Sequence, residues 1–200
     1  MNKLKSEVNV YTRKEYQELP KNKLKIGVLS SVLQPIINGF LTTEDKAKEQ
    51  REYDSGLIPI VDNASGCLLT DVSAIRSASM TESGGKTTIV ITLNDELNPE
   101  PADPGASSAP SNIGAMFNPY SRNSIDELFE NISVVTINNL ELNLVGCTAT
   151  LVFDSASLRV ESLRQVVNYD VSGDVSAAVT NINGTCYLID TLEIYNISYR

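Results

Sequence analysis

The chain contains no histidine, and this absence removes much of the chemistry that a protein of its size can carry out. Without imidazole, the usual nucleophilic triads, the commonest general acid-base group and every His-ligated metal site are excluded. Its three cysteines, Cys67, Cys147 and Cys186, are too few for a disulfide framework and lack the close spacing of a zinc site. We therefore expect no catalytic residue, no metal site and no cofactor, and we interpret the protein as not an enzyme.

Further absences narrow the partners and the location. The formal charge is −9, so the basic face that nucleic acid requires is missing, and we expect no nucleic-acid partner. No apolar run approaches the roughly 18 residues needed to cross a bilayer, and no secretory signal stands near Met1. The sequence is thus compatible with a cytosolic protein or with an exported one whose signal has been removed, and it predicts no transmembrane segment.

The C-terminal third of the chain carries the clearest structural signal, an alternation of apolar and polar residues. Between Leu163 and Val179 the odd positions are mostly apolar and the even ones polar, which predicts a long strand or a tight hairpin with one buried face. In the preceding segment the apolar parity changes between Leu144 and Cys147, and one extra residue near Val145-Gly146 would restore a single face, as a β-bulge does. Turns are predicted at residues 154–157 and at Asn181 to Gly184.

Additional elements are predicted along the first two thirds. Residues 8–19 are expected to be extended, and residues 74–81 and 87–93 form a hairpin around Gly84-Gly85. Ile26 to Leu41 is uncharged with apolar residues at helical spacing, although Pro35 makes two short helices as plausible as one. Short helices are expected after Thr70 as N-cap, and from Ile125 to Ile132 with Ser124 and Glu127 as a capping box. Residues 98–114 are predicted to be a long loop.

A resemblance accompanies these patterns. It is carried by Leu69-Thr70-Asp71-Val72 with Ser77-Ala78, by the run from Ile89 to Pro99, by Gly114-Ala115-Met116-Phe117-Asn118 and by Gly146-Cys147-Thr148-Ala149-Thr150. The order of segments resembles an uncharacterised domain family of exported or lipoprotein-type proteins in Gram-positive gut anaerobes, over residues 3–199. That family commonly has Ser where this chain has Val145. The resemblance implies an extracellular protein, or one anchored at the outer face of a Gram-positive cell, and it supplies no activity.

Together these observations predict one α+β domain over residues 1–200, with residues 1–7 as a disordered segment or tether. A curved antiparallel sheet would pack on one long helix and one or two short ones, similar to bacterial lipoprotein lipid carriers. An apolar ligand would then lie between helix and sheet, against Leu29, Val32, Leu33, Ile36, Phe40, Leu142, Val167 and Val171. We expect a non-catalytic domain whose partner is an apolar small molecule or a cell-envelope component.

Two alternatives remain open from the sequence. A structural or adhesion domain would have a filled core and an exposed apolar patch or free sheet edge. A carboxylate-dependent hydrolase would need two carboxyl groups that face each other across a cleft. A cavity of about 300 Å³ or more would favour the binding domain over the filled core.

Overall fold

The fold is known from a computed structural model, which describes residues 8–53, 66–130, 136–177 and 180–200. Strands account for 52% of the chain and helices for 16%. The strands are β1 (Val8–Glu18), β2 (Leu24–Lys25), β3 (Gln50–Tyr53), β4 (Ile75–Ser83), β5 (Lys86–Leu93), β6 (Glu96–Leu97), β7 (Thr136–Leu144), β8 (Thr148–Asp154), β9 (Val160–Ala177) and β10 (Thr180–Tyr199). The helices are α1 (Ser30–Phe40), α2 (Asn112–Met116) and α3 (Arg122–Glu130). The expected α+β class is confirmed in this broad sense, since the protein is mostly antiparallel sheet with few helices.

All described strands belong to one antiparallel sheet built around its two longest members, β9 and β10. The strand order is β3-β1-β10-β9-β8-β5-β4, so β3 and β4 are the two ends of this path. Three short pairings branch from it: β2 pairs with β10, β7 with β9, and β6 with β7. The predicted hairpin is confirmed as β4 and β5, where Gly84 and Gly85 both adopt positive φ, as a tight two-residue turn requires.

The predicted bulge is confirmed between β7 and β8, which lie end to end along the same side of β9. Leu144 pairs with Tyr169 and Thr148 pairs with Val166, so four steps along β7 and β8 match three along β9. The one extra residue coincides with Gly146, whose φ is +58°. Because the insertion changes the parity, the apolar side chains on both sides of it are buried on one face of the sheet, namely Leu140, Leu142, Leu144, Cys147 and Ala149.

The alternation in this segment predicts either one long strand or a tight hairpin, and the structure contains one strand, β9. Its odd-numbered residues from Leu163 to Val175 are buried or half-buried, whereas Arg164 and Asp170 are exposed. The turn predicted at residues 181–184 is wrong, because these residues lie inside β10 and pair with residues 173–176 of β9. The Asn-Gly pair that suggests a turn instead places Gly184 opposite Gly173 in the middle of a ladder.

α1 is one continuous helix that includes Pro35, so the two-piece alternative is wrong. Proline lacks the N–H that would bond to the carbonyl of Ser31. Both Ser31 and Pro35 are exposed, so water can satisfy that carbonyl. The helix follows a short 3-10 turn, Gly27–Leu29, and the backbone N–H of Ile26 donates to Ser30 Oγ at 2.9 Å.

Two predicted helix caps are misplaced. α3 begins at Arg122, and Ser121 Oγ accepts the N–H of Ser124 at 3.1 Å, so the cap lies three residues before the predicted Ser124. The short helix predicted after Thr70 is a 3-10 turn, Val72–Ala74, and Asp71 caps it by accepting the N–H of Ser73 at 2.9 Å. In both cases a nearby Ser or Asp supplies the side-chain oxygen of the cap in place of the predicted residue. The predicted end of α3 at Ile132 lies outside the described residues.

The predicted loop at residues 98–114 ends in α2, which the sequence analysis does not anticipate. Glu96 binds the start of this helix with both carboxylate oxygens, accepting from Asn112 N at 3.0 Å and from Ile113 N at 2.7 Å. Gly114 is required there, because a Cβ would lie 1.9 Å from the carbonyl oxygen of Glu100. α2 and the following Phe117 are thereby fixed against the sheet, where they are buried.

The buried apolar residues form two groups. The main cluster includes Phe117, Leu142, Leu163, Val167 and Ile194 and contains most of the buried side chains. The second cluster consists of Leu24, Ile26, Leu33, Ile37 and Val175. It joins residues of α1 and of the segment before it to the far end of β9.

Candidate functional site

A cavity of about 240 Å³ lies beside the second cluster. Residues of α1, of α3 and of the strands β7, β9 and β10 line it. Along β10 its lining runs from Gly184 to Asp190, a distance of six residue steps or about 20 Å of extended chain. The cavity extends for this length along β10, and the neighbouring strands β1, β9 and β7 also contribute lining residues.

Two glycines form part of the cavity wall. Gly173 of β9 pairs directly with Gly184 of β10, so neither strand presents a side chain at this position. A Cβ on Gly184 would lie 3.1 Å from Cγ2 of Val175 and 3.3 Å from Cγ1 of Ile26. A Cβ on Gly173 would lie 3.3 Å from Cγ2 of Ile137. Such contacts are tighter than ordinary packing. Glycine at both positions therefore allows neighbouring side chains to lie close to the backbone of the sheet here.

The walls and the opening of the cavity come from the helices. Leu33 and Ile37 of α1 are buried and line it from one side. Phe40 at the end of α1 and Tyr120 before α3 also line it, yet they are 47% and 45% exposed. They are the most exposed aliphatic or aromatic residues of the lining, and we infer that the cavity opens beside them.

The polar end of the cavity is built around Asp190. This side chain is 8% exposed, and Gln17 Nε2 donates to its Oδ1 at 3.0 Å. Gln17 is held in turn, because its Oε1 accepts the N–H of Thr42 at 3.0 Å. Burial, and secondarily the negative charge of Glu15, raise the pKa of Asp190 to about 7. Asp190 therefore loses its proton at a higher pH than an exposed aspartate does.

Two tyrosines accompany Asp190 at this end. Tyr169 is buried, and its hydroxyl oxygen accepts the backbone N–H of Tyr120 at 2.9 Å. The two rings are tilted, with centroids 6.0 Å apart. Burial and the charge of Asp190 raise the pKa of Tyr120 to about 12 and that of Tyr169 well above its usual value. Both phenols are therefore neutral hydrogen-bonding groups at any physiological pH.

The residues that the sequence analysis proposes for a ligand are distributed over three places. Leu33, Phe40 and Val171 line the cavity. Leu29 and Ile36 pack against the second cluster without lining the cavity. Leu142 and Val167 belong to the main cluster and are not part of the lining, although each pairs with a lining residue. The side chain of Val32 lies outside the described part of the structure.

Sequence reasoning misses the polar and glycine members of the lining. Asp190 shares its parity along β10 with Leu188, Leu192 and Ile194, so an acidic residue on an apolar face is a signal present in the sequence. Gly173 and Gly184 give no comparable signal, because their opposition depends on the pairing of β9 with β10. The fourth missed residue is Cys186, a half-buried thiol in the lining whose pKa burial raises to about 11.

The described residues offer little for a hydrolase, a metal site or a membrane span. Among the described lining residues Asp190 alone carries a carboxyl group, so the pair of carboxylates that a hydrolase needs is not assembled there. Within the described ranges no three Cys, Asp or Glu side chains are grouped to hold a metal ion. The same ranges contain no helix that is long and apolar enough to span a bilayer. All three cysteines are free, and Cys147 is buried in the main cluster.

Comparison with models of protein families, with curated proteins and with solved structures returned no match for this chain.

Proposed function

We propose that this protein is a non-catalytic binding domain that holds an apolar ligand between α1 and the sheet. The observation that supports this proposal best is the cavity of about 240 Å³ beside the second cluster. Its wall is formed largely by aliphatic side chains and two glycines, with polar groups gathered near Asp190. Ligand pockets commonly combine an apolar lining with a few placed polar groups.

The volume bears on the kind of ligand. Apolar cavities of about 150 Å³ accommodate benzene, whereas pockets for drug-sized molecules begin near 300 Å³. This cavity lies between the two, so its enclosed part suits a single hydrocarbon chain or a ring with a short substituent. A longer ligand would extend past Phe40 and Tyr120 into solvent.

The proposal includes the finer fold and the location. It takes the chain as one domain in which a curved sheet packs around α1, with α2 and α3 as the shorter helices, similar to lipoprotein lipid carriers. The burial of Leu33 and Ile37 together with Val175 of β9 supports this packing. The resemblance to exported domains of Gram-positive gut anaerobes supports a place outside the cell, free or anchored at its outer face, where an envelope component is a suitable ligand.

A structural or adhesion role is the second candidate, and β4 favours it. This strand ends the sheet path, and eight of its nine residues are exposed, including Met80 at 66%. An exposed edge strand presents unpaired backbone groups that another chain can pair with. The cavity is also smaller than the volume of about 300 Å³ above which we expect a binding domain rather than a filled core.

Binding of a neutral fluorescent probe, phenylnaphthylamine, distinguishes the two candidates. We expect saturable binding by the unmodified protein, and weakened binding by the Val171→Phe variant, in which the larger ring occupies the cavity. Val90→Phe is the matched control, because Val90 is a half-buried valine of β5 outside the lining. Native mass spectrometry of protein purified from its own host, followed by organic extraction, would then identify a co-purifying apolar molecule.

The opposite result is equally clear. If the probe does not bind, or binds Val171→Phe as tightly as the unmodified protein, the cavity is not a ligand site. The result would then favour the structural or adhesion role, with a filled core and a free edge at β4.

A further inference from the structure

Asp190 is an unusual residue to find on the wall of this cavity. It lies on the inner face of β10 between Leu188 and Leu192, and only 8% of it is exposed. Carboxyl groups are rarely buried to this extent unless they are paired with a cation. Within the described ranges Asp190 forms no salt bridge; the charge of Arg13 acts on it from nearby, while the guanidinium of Arg13 bonds Glu15 at 2.7 Å.

The bond with Gln17 does not account for the carboxyl group. Gln17 Nε2 donates to one oxygen, Oδ1, and an asparagine at position 190 would accept that bond equally well without burying an acid. A carboxylate offers about four acceptor positions on its two oxygens. Gln17 and the backbone N–H of Thr191 use part of this capacity, and Asp190 lines the cavity with acceptor positions to spare.

The placement of Asp190 gives the cavity a direction. Six residues along β10 separate it from Gly184, where the lining consists of the glycine pair and the aliphatic second cluster. A ligand with an apolar tail and a polar head therefore has one favourable orientation, with its tail against Val175 and Leu33 and its head at Asp190. Tyr120, which also lines this end, is half-exposed, so the head lies on the side of the cavity that solvent reaches.

We propose that the ligand is a single-chain amphiphile whose head group donates hydrogen bonds to Asp190, such as an amine or a hydroxyl, and that carboxylate heads are rejected. This inference rests on the proposed binding function and specifies its ligand class. A buried carboxyl group accepts bonds from donor heads, whereas a second carboxylate beside it would place two like charges in an apolar site. The overall charge of −9 acts in the same direction by disfavouring anions.

The test uses decylamine, decanol and decanoate, which share one tail and differ in the head. Each displaces bound phenylnaphthylamine from the unmodified protein at pH 8, where the amine is cationic and the acid anionic. We expect the amine, the alcohol or both to displace the probe at concentrations about ten- to hundredfold lower than decanoate, as one charge-assisted hydrogen bond implies. The amine and alcohol arms separate a cationic head from a neutral one.

Asp190→Asn is the diagnostic variant, because it keeps an acceptor for Gln17 and places an amide donor toward the cavity. The preference for donor heads should disappear, and decanoate should gain affinity. Asp170→Asn is the matched control, since Asp170 is an exposed residue of β9 on the opposite face and loses the same charge. Its ranking of the three ligands should equal that of the unmodified protein.

The outcomes separate this inference from the proposed function. If the probe binds in the cavity but the three heads compete equally, or decanoate competes best, the head-group inference is overturned and the binding function stands. If neither the probe nor any decyl compound binds, the binding function itself is overturned. If Asp190→Asn does not fold, the ranking measured on the unmodified protein decides the question alone.

Discussion

The inner face of β9 and β10 has two ends that are constructed differently. At one end Leu163 and Val167 pack in the main cluster beneath Phe117, and Gln165 Nε2 donates to the carbonyl of Met116 at 2.9 Å. At the other end the two strands present glycines, Gly173 and Gly184, opposite each other. One end of the sheet face is thus filled by large side chains that meet α2, whereas at the other end Ile26 and Ile137 pack closely over the glycine pair and the cavity lies beside them.

The difference shows that the cavity does not arise from loose packing throughout the protein. The filled end contains the largest fully buried side chain, Phe117, and no buried side-chain polar atom among the described residues lacks a hydrogen-bond partner. The glycine pair allows side chains of the protein itself, those of Ile26 and Ile137, to approach the sheet closely beside the cavity. The predictions below alter each end in turn.

The largest effect is expected from placing a charge at the cavity end. Leu33 is 1% exposed, so Leu33→Asp would bury an unpaired carboxylate and should cost several kcal/mol, on the order of the whole stability of a domain. Val28→Asp is the control, because Val28 is 78% exposed just before α1, and it should change stability by less than about 0.5 kcal/mol. A melting temperature of Leu33→Asp equal to that of the unmodified protein would show that α1 does not pack against the sheet.

Removing the same ring at the two ends should give unequal losses. Phe117 is fully buried, and Phe117→Ala should lower the free energy of unfolding by about 3–5 kcal/mol. Phe40 is 47% exposed at the mouth of the cavity, so Phe40→Ala should cost less than about 1 kcal/mol. Denaturant unfolding of both variants measures this difference, and equal losses would contradict the distinction between a filled end and an open one.

The pH dependence of stability should reveal Asp190. Its pKa rises from 3.8 to about 7 on folding, so between these values the folded state binds more protons than the unfolded state. Stability contributed by this group is therefore fully present below pH 4 and falls as pH rises toward 7, with a slope of at most about 1.4 kcal/mol per pH unit. Glu15 and Arg13 of β1 and the neutral phenols of Tyr120 and Tyr169 face the same group, and the charges of Glu15 and Arg13 shift its pKa in opposite directions.

The measurement is a series of unfolding curves for Asp190→Asn and the unmodified protein. The variant should gain stability relative to the unmodified protein as pH rises from 4 to 7, and the difference should then level off. A difference that does not change with pH would mean that Asp190 ionises as it does in the unfolded chain. Asp170→Asn again serves as the control for the loss of one negative charge.

The smallest changes in stability are expected when a larger side chain is introduced at each end of this face. Ala149 is 4% exposed in the main cluster, so Ala149→Leu should overpack the filled end and cost about 1–3 kcal/mol. Val171 lines the cavity, and Val171→Leu adds its methylene where there is space. We expect its stability to stay within about 0.5 kcal/mol of the unmodified protein. A cost at Val171 as large as that at Ala149 would indicate that the cavity closes in solution.

Local patterns in the sequence are sufficient for much of the sheet. Alternation predicts β9 and one of its faces, the change of parity before Cys147 predicts the bulge, and Gly84-Gly85 predicts the hairpin turn. The helix at residues 30–40 follows from its apolar spacing. Cap positions are predicted less well, because several Ser, Thr and Asp residues near α3 and the turn at Val72–Ala74 could each accept the same N–H groups.

The sequence by itself determined that this is a mostly antiparallel protein with a short list of possible chemistries, because strand periodicity and the absence of histidine are properties of neighbouring residues and of composition. Only the tertiary structure decided where the cavity lies. Gly173 meets Gly184, and Gln17 meets Asp190, through strand register, which joins residues as many as 173 positions apart. Pairing between residues so far apart in the sequence depends on the register of the whole sheet, so no local sequence pattern predicts it.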